Sequence, residues 1–300
     1  MKITVFDVSN AACALVVCPK GYSMMIDCGS HSEKDCPVDL INAWKKTDWL
    51  SHMKDINGHP LTLLHISHPH DDHVRNSEKV KNNLAPYLLH RRRYEEFEEK
   101  PPTYRRKQIH QEYKAHLCTP YRGESINFTD WGFNTFSYQI PMDTLLSNDS
   151  LNGSVLNNSS ILRVIELPGS TKTFRILFGG DMEEAGWDWL IANDANFRNR
   201  ISAGVDILVA SHHGHISGYS QNLMNLMGGA PKLSILSKGS ESGGETDVDS
   251  RYSANSTGLY VRDINGNNPV KKFTLTTRSN GNIFTHVGAD GIPSVWAQFL

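Results

Sequence analysis

The chain has 300 residues, of which 39% are hydrophobic, with 23 glycines and 30 Lys plus Arg against 32 Asp plus Glu, for a net charge of −2. Hydrophobics and glycine together fall in the ~45–50% range of soluble globular chains, enough for one large α/β domain, and the near-balance of charge excludes any global argument for nucleic acid or membrane. No apolar run approaches the roughly 20 residues of a membrane span, and five cysteines without CxxC spacing suggest neither a disulfide framework nor a zinc ribbon, but reduced thiols in a cytoplasm.

Residues 1–29 read as a β-meander: Ile3 to Val8, Ala12 to Cys18 and Tyr22 to Gly29, separated by turn chemistry at Ser9-Asn10 and Pro19-Lys20-Gly21. The start, Met1-Lys2 running straight into a strand, does not read as a cleaved signal peptide. Asp27 before Cys28-Gly29 is either a turn aspartate or part of a site, and Cys28 reads as a small buried hydrophobe.

The chain is organised around Leu61 to His73, LTLLHISHPHDDH. Leu61, Leu63, Leu64 and Ile66 form a short buried strand, and Pro69 keeps a helix from starting before the histidines are presented. Imidazoles and carboxylates are ligands for zinc or manganese, so His68, His70, Asp72 and His73 place three imidazoles and a carboxylate within reach of one or two ions. A histidine-rich polar turn is the alternative.

After a helix-permissive stretch from Val74 comes a basic helical insertion around residues 84–122, with Arg91, Arg92, Arg93, Arg105, Arg106 and Lys107 beside Tyr94 and Tyr104. Such a combination suits phosphate contacts with base stacking. It equally suits a solvated face on which Glu95, Glu96, Glu98 and Glu99 neutralise the arginines. Phe128, Trp131, Phe133, Phe136 and Tyr138 mark an aromatic, strand-like segment, and residues 145–160 read as an Asn/Ser/Gly-rich surface loop before a strand at Ile161 to Ile165.

Phe174 to Phe178 is a further strand, ending in Gly179-Gly180-Asp181 before a helix with Trp187, Leu190 and Ile191 at helical spacing. Asp181 with Glu184 also fits a capping box. The strand Val205 to Ala210 ends in Ser211-His212-His213-Gly214-His215, and the strand Lys232 to Leu236 ends at Ser237-Lys238-Gly239. Residues 273–284 read as a closing hairpin of the second sheet.

The spacing His68-x-His70-x-Asp72-His73 resembles the signature of the metallo-β-lactamase superfamily, and the order of the later elements resembles its ComEC-like branch of DNA-uptake proteins and stand-alone relatives. The resemblance implies a four-layer αββα sandwich (α/β, α+β) with metals along one edge. It implies two divalent ions, zinc or manganese: His68 and His70 on the first, Asp72 and His73 on the second, with Asp181 bridging and His212 completing the second. His213 then lies near the substrate, Asp27 lies close to the metals, Asp72 or Asp181 takes a proton, and Ser160 and Lys238 face the substrate. Ser9, Asn10, Ala11 and Ala12 depart from the branch's opening pattern, and no histidine precedes Pro141 where many members supply a third ligand to the first metal. The implied activity is hydrolysis of a phosphodiester, nucleic acid included, with Arg105 and Arg106 on phosphates. A small-molecule ester or lactone hydrolase, and a metal-binding module without turnover, are the other readings.

Overall fold

Strands whose two faces are both covered carry no polar alternation, and the meander shows why its segments are apolar throughout. In β3 (Ser23–Cys28), Met24 and Ile26 pack between two sheets while Met25 packs outward against helices, and every residue of the strand is buried. The computed structural model describes residues 1–30, 36–93, 95–98, 116–117, 131–229, 231–238 and 248–300.

Among these residues the first sheet has nine strands. β1 (Lys2–Val5), β2 (Cys13–Val17) and β3 pair antiparallel as the expected meander, and β4 (Leu63–His65) and β5 (Leu88–His90) continue in parallel. The second sheet has six: β6 (Asn134–Tyr138), β7 (Leu162–Pro168), β8 (Thr173–Phe178), β9 (Ile207–Val209), β10 (Leu233–Leu236) and, from the far C-terminus, β13 (Thr274–Thr276). β11 (Leu259–Asp263), β12 (Val270–Lys272), β14 (Ile283–Val287) and β15 (Pro293–Ala297) complete the first. Ile3, Val5, Ile26 and Leu63 meet Ile165, Phe174, Ile176 and Ile235 between the sheets. Val38, Ile41, Val80 and Leu84 come from helices packed on the first sheet, and Trp187, Leu190, Phe197 and Ile201 from helices packed on the second. The layer order is helix, sheet, sheet, helix, as expected of the αββα sandwich.

Three expectations are corrected. The basic helical insertion expected around residues 84–122 begins instead with a strand: the helix Ser77–Leu84, inside the stretch read as helix-permissive up to Pro86, stops at Ala85, which is left-handed at φ 38°, and β5 pairs with β4. Residues 145–160 are not a surface loop but sit among short helices at Met142–Ser147, Asp149–Asn152 and Val155–Asn158, which bury Leu145, Leu151 and Val155. The C-terminal segment is no hairpin: β13 pairs with β10 in the second sheet while β14 pairs with β1 in the first, with the turn Thr277–Asn280 crossing between them.

β3, β4 and β5 run parallel, as do β8, β9 and β10. Parallel neighbours deliver their following loops to one edge, and that edge receives Asp27, the His68–His73 motif, Asp181, the His212-His213 pair and Ser237. Cys13, Cys18, Cys28 and Cys36 are buried and form no disulfide among the described residues, while Cys118 lies outside them.

Candidate metal centre

β4 leads to Ser67, after which Pro69 holds the chain extended through His70 (ψ 152°) before the short helix Asp71–Val74 begins. His68 and His70 therefore come from the loop, and Asp72 and His73 from the helix's first turn. From the second sheet, β8 ends at Gly179-Gly180, where Gly180 takes φ 52°; a Cβ there would meet Ser160 and Ser67 at about 3.0 Å, so the close turn that presents Asp181 requires glycine. After β9, His212, His213 and Gly214 are successively left-handed at φ 49°, 54° and 80°.

Two groups of ligand atoms result, each with its atoms within 4.8 Å of one another: Asp72, His73, Asp181 and His213, and His68, His70 and Asp181. Nε2 of His68 lies 2.9 Å from Nδ1 of His70 and 3.5 Å from Oδ2 of Asp181. Nε2 of His73 lies 3.0 Å from the other oxygen, Oδ1 of Asp181, and Nε2 of His213 lies 3.0 Å from Asp72 Oδ2 and 3.8 Å from Asp181 Oδ1. Asp181 thus turns one oxygen toward each group. His73 Nε2 and Asp181 Oδ1 are buried without a hydrogen-bond partner, although only 3.0 Å separates them. Such orphaned buried atoms are costly unless something completes them. Imidazoles and carboxylates in this arrangement fit a divalent transition-metal ion.

The far sides of the rings are fixed. Asp27 Oδ2 accepts from His73 Nδ1 at 2.8 Å, while its Oδ1 accepts the Ser67 backbone N–H at 2.7 Å. Ser67 Oγ lies 3.1 Å from His68 Nδ1, and the Ser237 carbonyl accepts from His213 Nδ1 at 2.9 Å. Partners of this kind set the tautomer and direct the opposite nitrogen inward.

Electrostatics follow the geometry. Burial opposes charge on His73, but Asp181, Asp27 and Asp72 outweigh it and hold its pKa well above the usual imidazole value. His213 is raised in the same way, burial being outweighed by Asp181 and Asp72. Burial and the neighbouring His73 lower His68, and burial with His68 lowers His70 to about 4. Against burial, His73 and its neighbours hold Asp72 and Asp181 below the ordinary carboxylate range.

The sequence-predicted residues fare unequally. His68, His70, Asp72, His73 and Asp181 converge, but the histidine that joins them is His213 and not His212. The reason lies in the left-handed turn: it points consecutive rings apart, their centroids 6.4 Å from each other, and sends His212 to Ser217 at 2.7 Å. Ser160 does not face a substrate; it is fully buried, and its hydroxyl accepts the Asp181 backbone N–H at 2.9 Å. Asp181 is no helix cap, since the helix Glu184–Asn193 starts after Glu183. Lys238 is at the same strand edge, buried, its backbone N–H bonded to Thr277. Arg92 is not available to phosphates: it is 3% exposed and donates to the Ser159 and Ile140 carbonyls and to Glu96. Arg105 and Arg106 lie outside the described residues. Ser67, Ser237 and Gly29 were missed by sequence reasoning, and their only signal is adjacency to a recognisable motif.

A cleft of about 700 Å³ lies elsewhere, on the outer face of the first sheet, lined by Trp44, Trp49, Phe284 and Trp296. Among the described residues no ionisable side chain lines it. The convergence of donor atoms, not cavity size, locates the chemistry.

Residues 7–153 match the family model of the metallo-beta-lactamase superfamily. That stretch resembles a metallo-beta-lactamase superfamily domain. Among solved structures it is similar to the metallo-beta-lactamase fold protein YhfI from Bacillus subtilis, at 13% identity over 81% of this chain and 88% of that one, with a TM-score of 0.41. It is also similar to Zn(2+)-bound PqqB from Methylobacterium extorquens, at 11% identity over 70% and 72% of the two chains and a TM-score of 0.40. MEM-A1, a subclass B3 metallo-beta-lactamase from a soil metagenome library, is 12% identical over 70% and 76%, with a TM-score of 0.38. No curated protein matches the sequence. Asp181 and His213 lie beyond the part matched by the family model, so the folded geometry alone brings them to the His68–His73 motif. The superfamily fold is that of metal-dependent hydrolases, and the His/Asp cluster is where metal ions could be held. No helix among the described residues is long and apolar enough to cross a membrane.

Proposed function

We propose that the protein is a phosphodiesterase working with two divalent ions, zinc or manganese. His68, His70 and Asp181 would hold one ion, and Asp72, His73, Asp181 and His213 the other. The observation that carries this reading is the pair of orphaned atoms, His73 Nε2 and Asp181 Oδ1, at the junction of two ligand groups that share Asp181. Bound ions would polarise a phosphoryl oxygen and make water acidic enough to attack near neutral pH.

The chain's own residues then divide the remaining tasks. Asp181, 2% exposed, is fixed by Ser160 from below and suits a positional role. The Asp72 side chain is 34% exposed and hydrogen-bonded to His213, which makes it the carboxylate able to take a proton at the opening. Lys238 at the neighbouring strand end and, outside the described residues, Arg105 and Arg106 are the candidates for substrate phosphate, which would extend the reading to nucleic acid in the ComEC-like manner. One observation favours a smaller ester or lactone instead: Arg92, expected on phosphates, is used up inside the fold.

The test is metal content followed by turnover of bis(p-nitrophenyl) phosphate, DNA and RNA under zinc and under manganese. Two tightly held equivalents with turnover of a diester are expected. Hydrolysis of carboxylic esters or lactones alone would move the second reading ahead, and metal binding without any hydrolysis would leave a binding module.

A further inference from the structure

His212, turned away from the ligand cluster, is built into a second arrangement beside it. Its Nδ1 lies 2.7 Å from Ser217 Oγ, which also lies 3.0 Å from Nδ1 of His215. The Ser217 backbone N–H donates to that same His215 Nδ1 at 3.3 Å, so this nitrogen is an acceptor and His215 carries its proton on Nε2. A hydroxyl has one proton to give. The assignment that places a hydrogen in every contact has Ser217 Oγ–H donating to His215 and His212 Nδ1–H donating to Ser217 Oγ. Glu183 Oε1, 3.8 Å from His212 Nδ1, favours the same tautomer. Nε2 of His212 is therefore a bare acceptor, and no donor among the described residues meets it.

A second unmet acceptor lies alongside. Asn157 donates its amide N–H to Glu183 Oε1 at 2.8 Å, and its carbonyl oxygen is buried with no partner. Glu183 is two residues past Asp181, and the His212 ring centroid lies 6.4 Å from that of His213, so this acceptor-rich corner adjoins the ligand cluster. A substrate hydroxyl finds an acceptor there. The backbone reinforces the point, because two consecutive non-glycine residues at positive φ are sparsely populated and persist where the surroundings fix them, often at functional sites.

We propose that His212 is a specificity-determining residue, its bare Nε2 accepting a hydrogen bond from a substrate hydroxyl beside the scissile linkage. This rests on the phosphodiesterase reading. The substrate class it selects is a diester flanked by a free hydroxyl, ribonucleotide-like, over the counterpart lacking it. A site built to bond a hydroxyl discriminates against the analogue without one, since its acceptor is then left unmet.

The experiment uses the full chain loaded with zinc or manganese and compares a ribodinucleoside monophosphate with its 2′-deoxy counterpart. Wild type is expected to prefer the ribo substrate by at least about tenfold in kcat/KM. His212→Gly tolerates the positive φ and removes the ring; in it the ribo substrate should fall to the level of the deoxy one, chiefly through KM. A merely structural role for His212 lowers both substrates together and leaves their ratio standing, which overturns the proposal. So does equal use of both substrates by wild type. Long-range nitrogen–proton correlation spectra of the ring give a readout independent of turnover: Nδ1–H on His212 is expected, and Nε2–H overturns the proposal even in an active enzyme. Failure of wild type to hydrolyse bis(p-nitrophenyl) phosphate, by contrast, removes the phosphodiesterase reading and this inference with it.

Discussion

Asp27 holds His73 from behind: its Oδ2 accepts from Nδ1 at 2.8 Å, leaving Nε2 to face Asp181. The aspartate reaches this position because it is left-handed at φ 55° at the end of β3, a conformation that asparagine also tolerates. Asp27→Asn therefore keeps the backbone and removes the charge that fixes the ring. Metal affinity is expected to drop about 10- to 100-fold, the usual cost of losing such a partner. Competition with a chromogenic chelator measures it, and unchanged affinity would show that Ser67 alone orients the site.

Gly29 makes a purely steric prediction. Its φ is ordinary, but a Cβ there would sit 1.6 Å from the Asp72 carbonyl oxygen, which also accepts the Ala12 N–H at 2.9 Å. Gly29→Ala must push the Asp71–Val74 turn outward. Metal content and hydrolysis should both collapse, with a loss of stability on the order of 1–3 kcal/mol as for other overpacked sites. Full metal occupancy in this variant would mean that the turn moves without cost and that the ligand set lies elsewhere.

Asp181→Asn preserves shape and replaces the shared carboxylate by an amide. Turnover should fall by orders of magnitude and the metal content below that of wild type. The pKa of His73 should also fall, since the Asp181 charge is the largest of the influences that raise it. Retained turnover would remove Asp181 from the metal centre altogether.

Legibility in the sequence followed locality. The His68–His73 motif, the strand before it and the meander were readable because each is a short contiguous pattern. Asp181 was readable as a ligand candidate through the resemblance, which places a bridging aspartate at such a strand end before a helix. His212 against His213 was not readable: adjacent residues differ only by the left-handed turn, and which ring turns inward is decided by Ser217 on one side and the Ser237 carbonyl on the other. The same holds for Arg92, whose arginine neighbours suggest a wet face. Its partners, Ser159 and Ile140, are distant in sequence and meet it only in the folded chain.

The raised histidines fix the sign of a pH effect. His73 and His213 retain protons in the metal-free protein above the usual imidazole pKa, whereas a metal ion takes the neutral ring. Loading should release protons near neutrality, and affinity should weaken as pH falls. Metal-free stability goes the other way: the contribution of these two residues is complete below the unfolded pKa of ~6.5 and is lost as pH rises through their folded values. Calorimetry in two buffers of different ionisation enthalpy reads the protons, and zero release would contradict ligation by these rings.

The last prediction lies one layer beneath the site, where Arg163 of β7 meets His65 of β4 and His90 of β5 across the two sheets. One guanidinium nitrogen lies 3.0 Å from His65 Nδ1 and 2.8 Å from His90 Nδ1, and the two ring nitrogens are 2.9 Å apart. Arginine only donates, so both nitrogens are bare acceptors, and the shared cation is what lets two lone pairs approach so closely. Burial, then Arg163, push His90 down to about 3 and His65 well below its usual value. Both rings stay neutral in the folded chain but take protons when unfolded below pH ~6.5, so stability must fall as pH drops from there toward 3, by up to ~1.4 kcal/mol per pH unit for each histidine. Arg163→Gln keeps a donor and removes the charge, so the His90 pKa should rise and the acid side of the stability profile should flatten. Urea midpoints at pH 7 and pH 5 for both proteins measure this. Parallel profiles would assign the acid sensitivity to His68 and His70 instead, whose lowered values have the same sign but do not depend on Arg163.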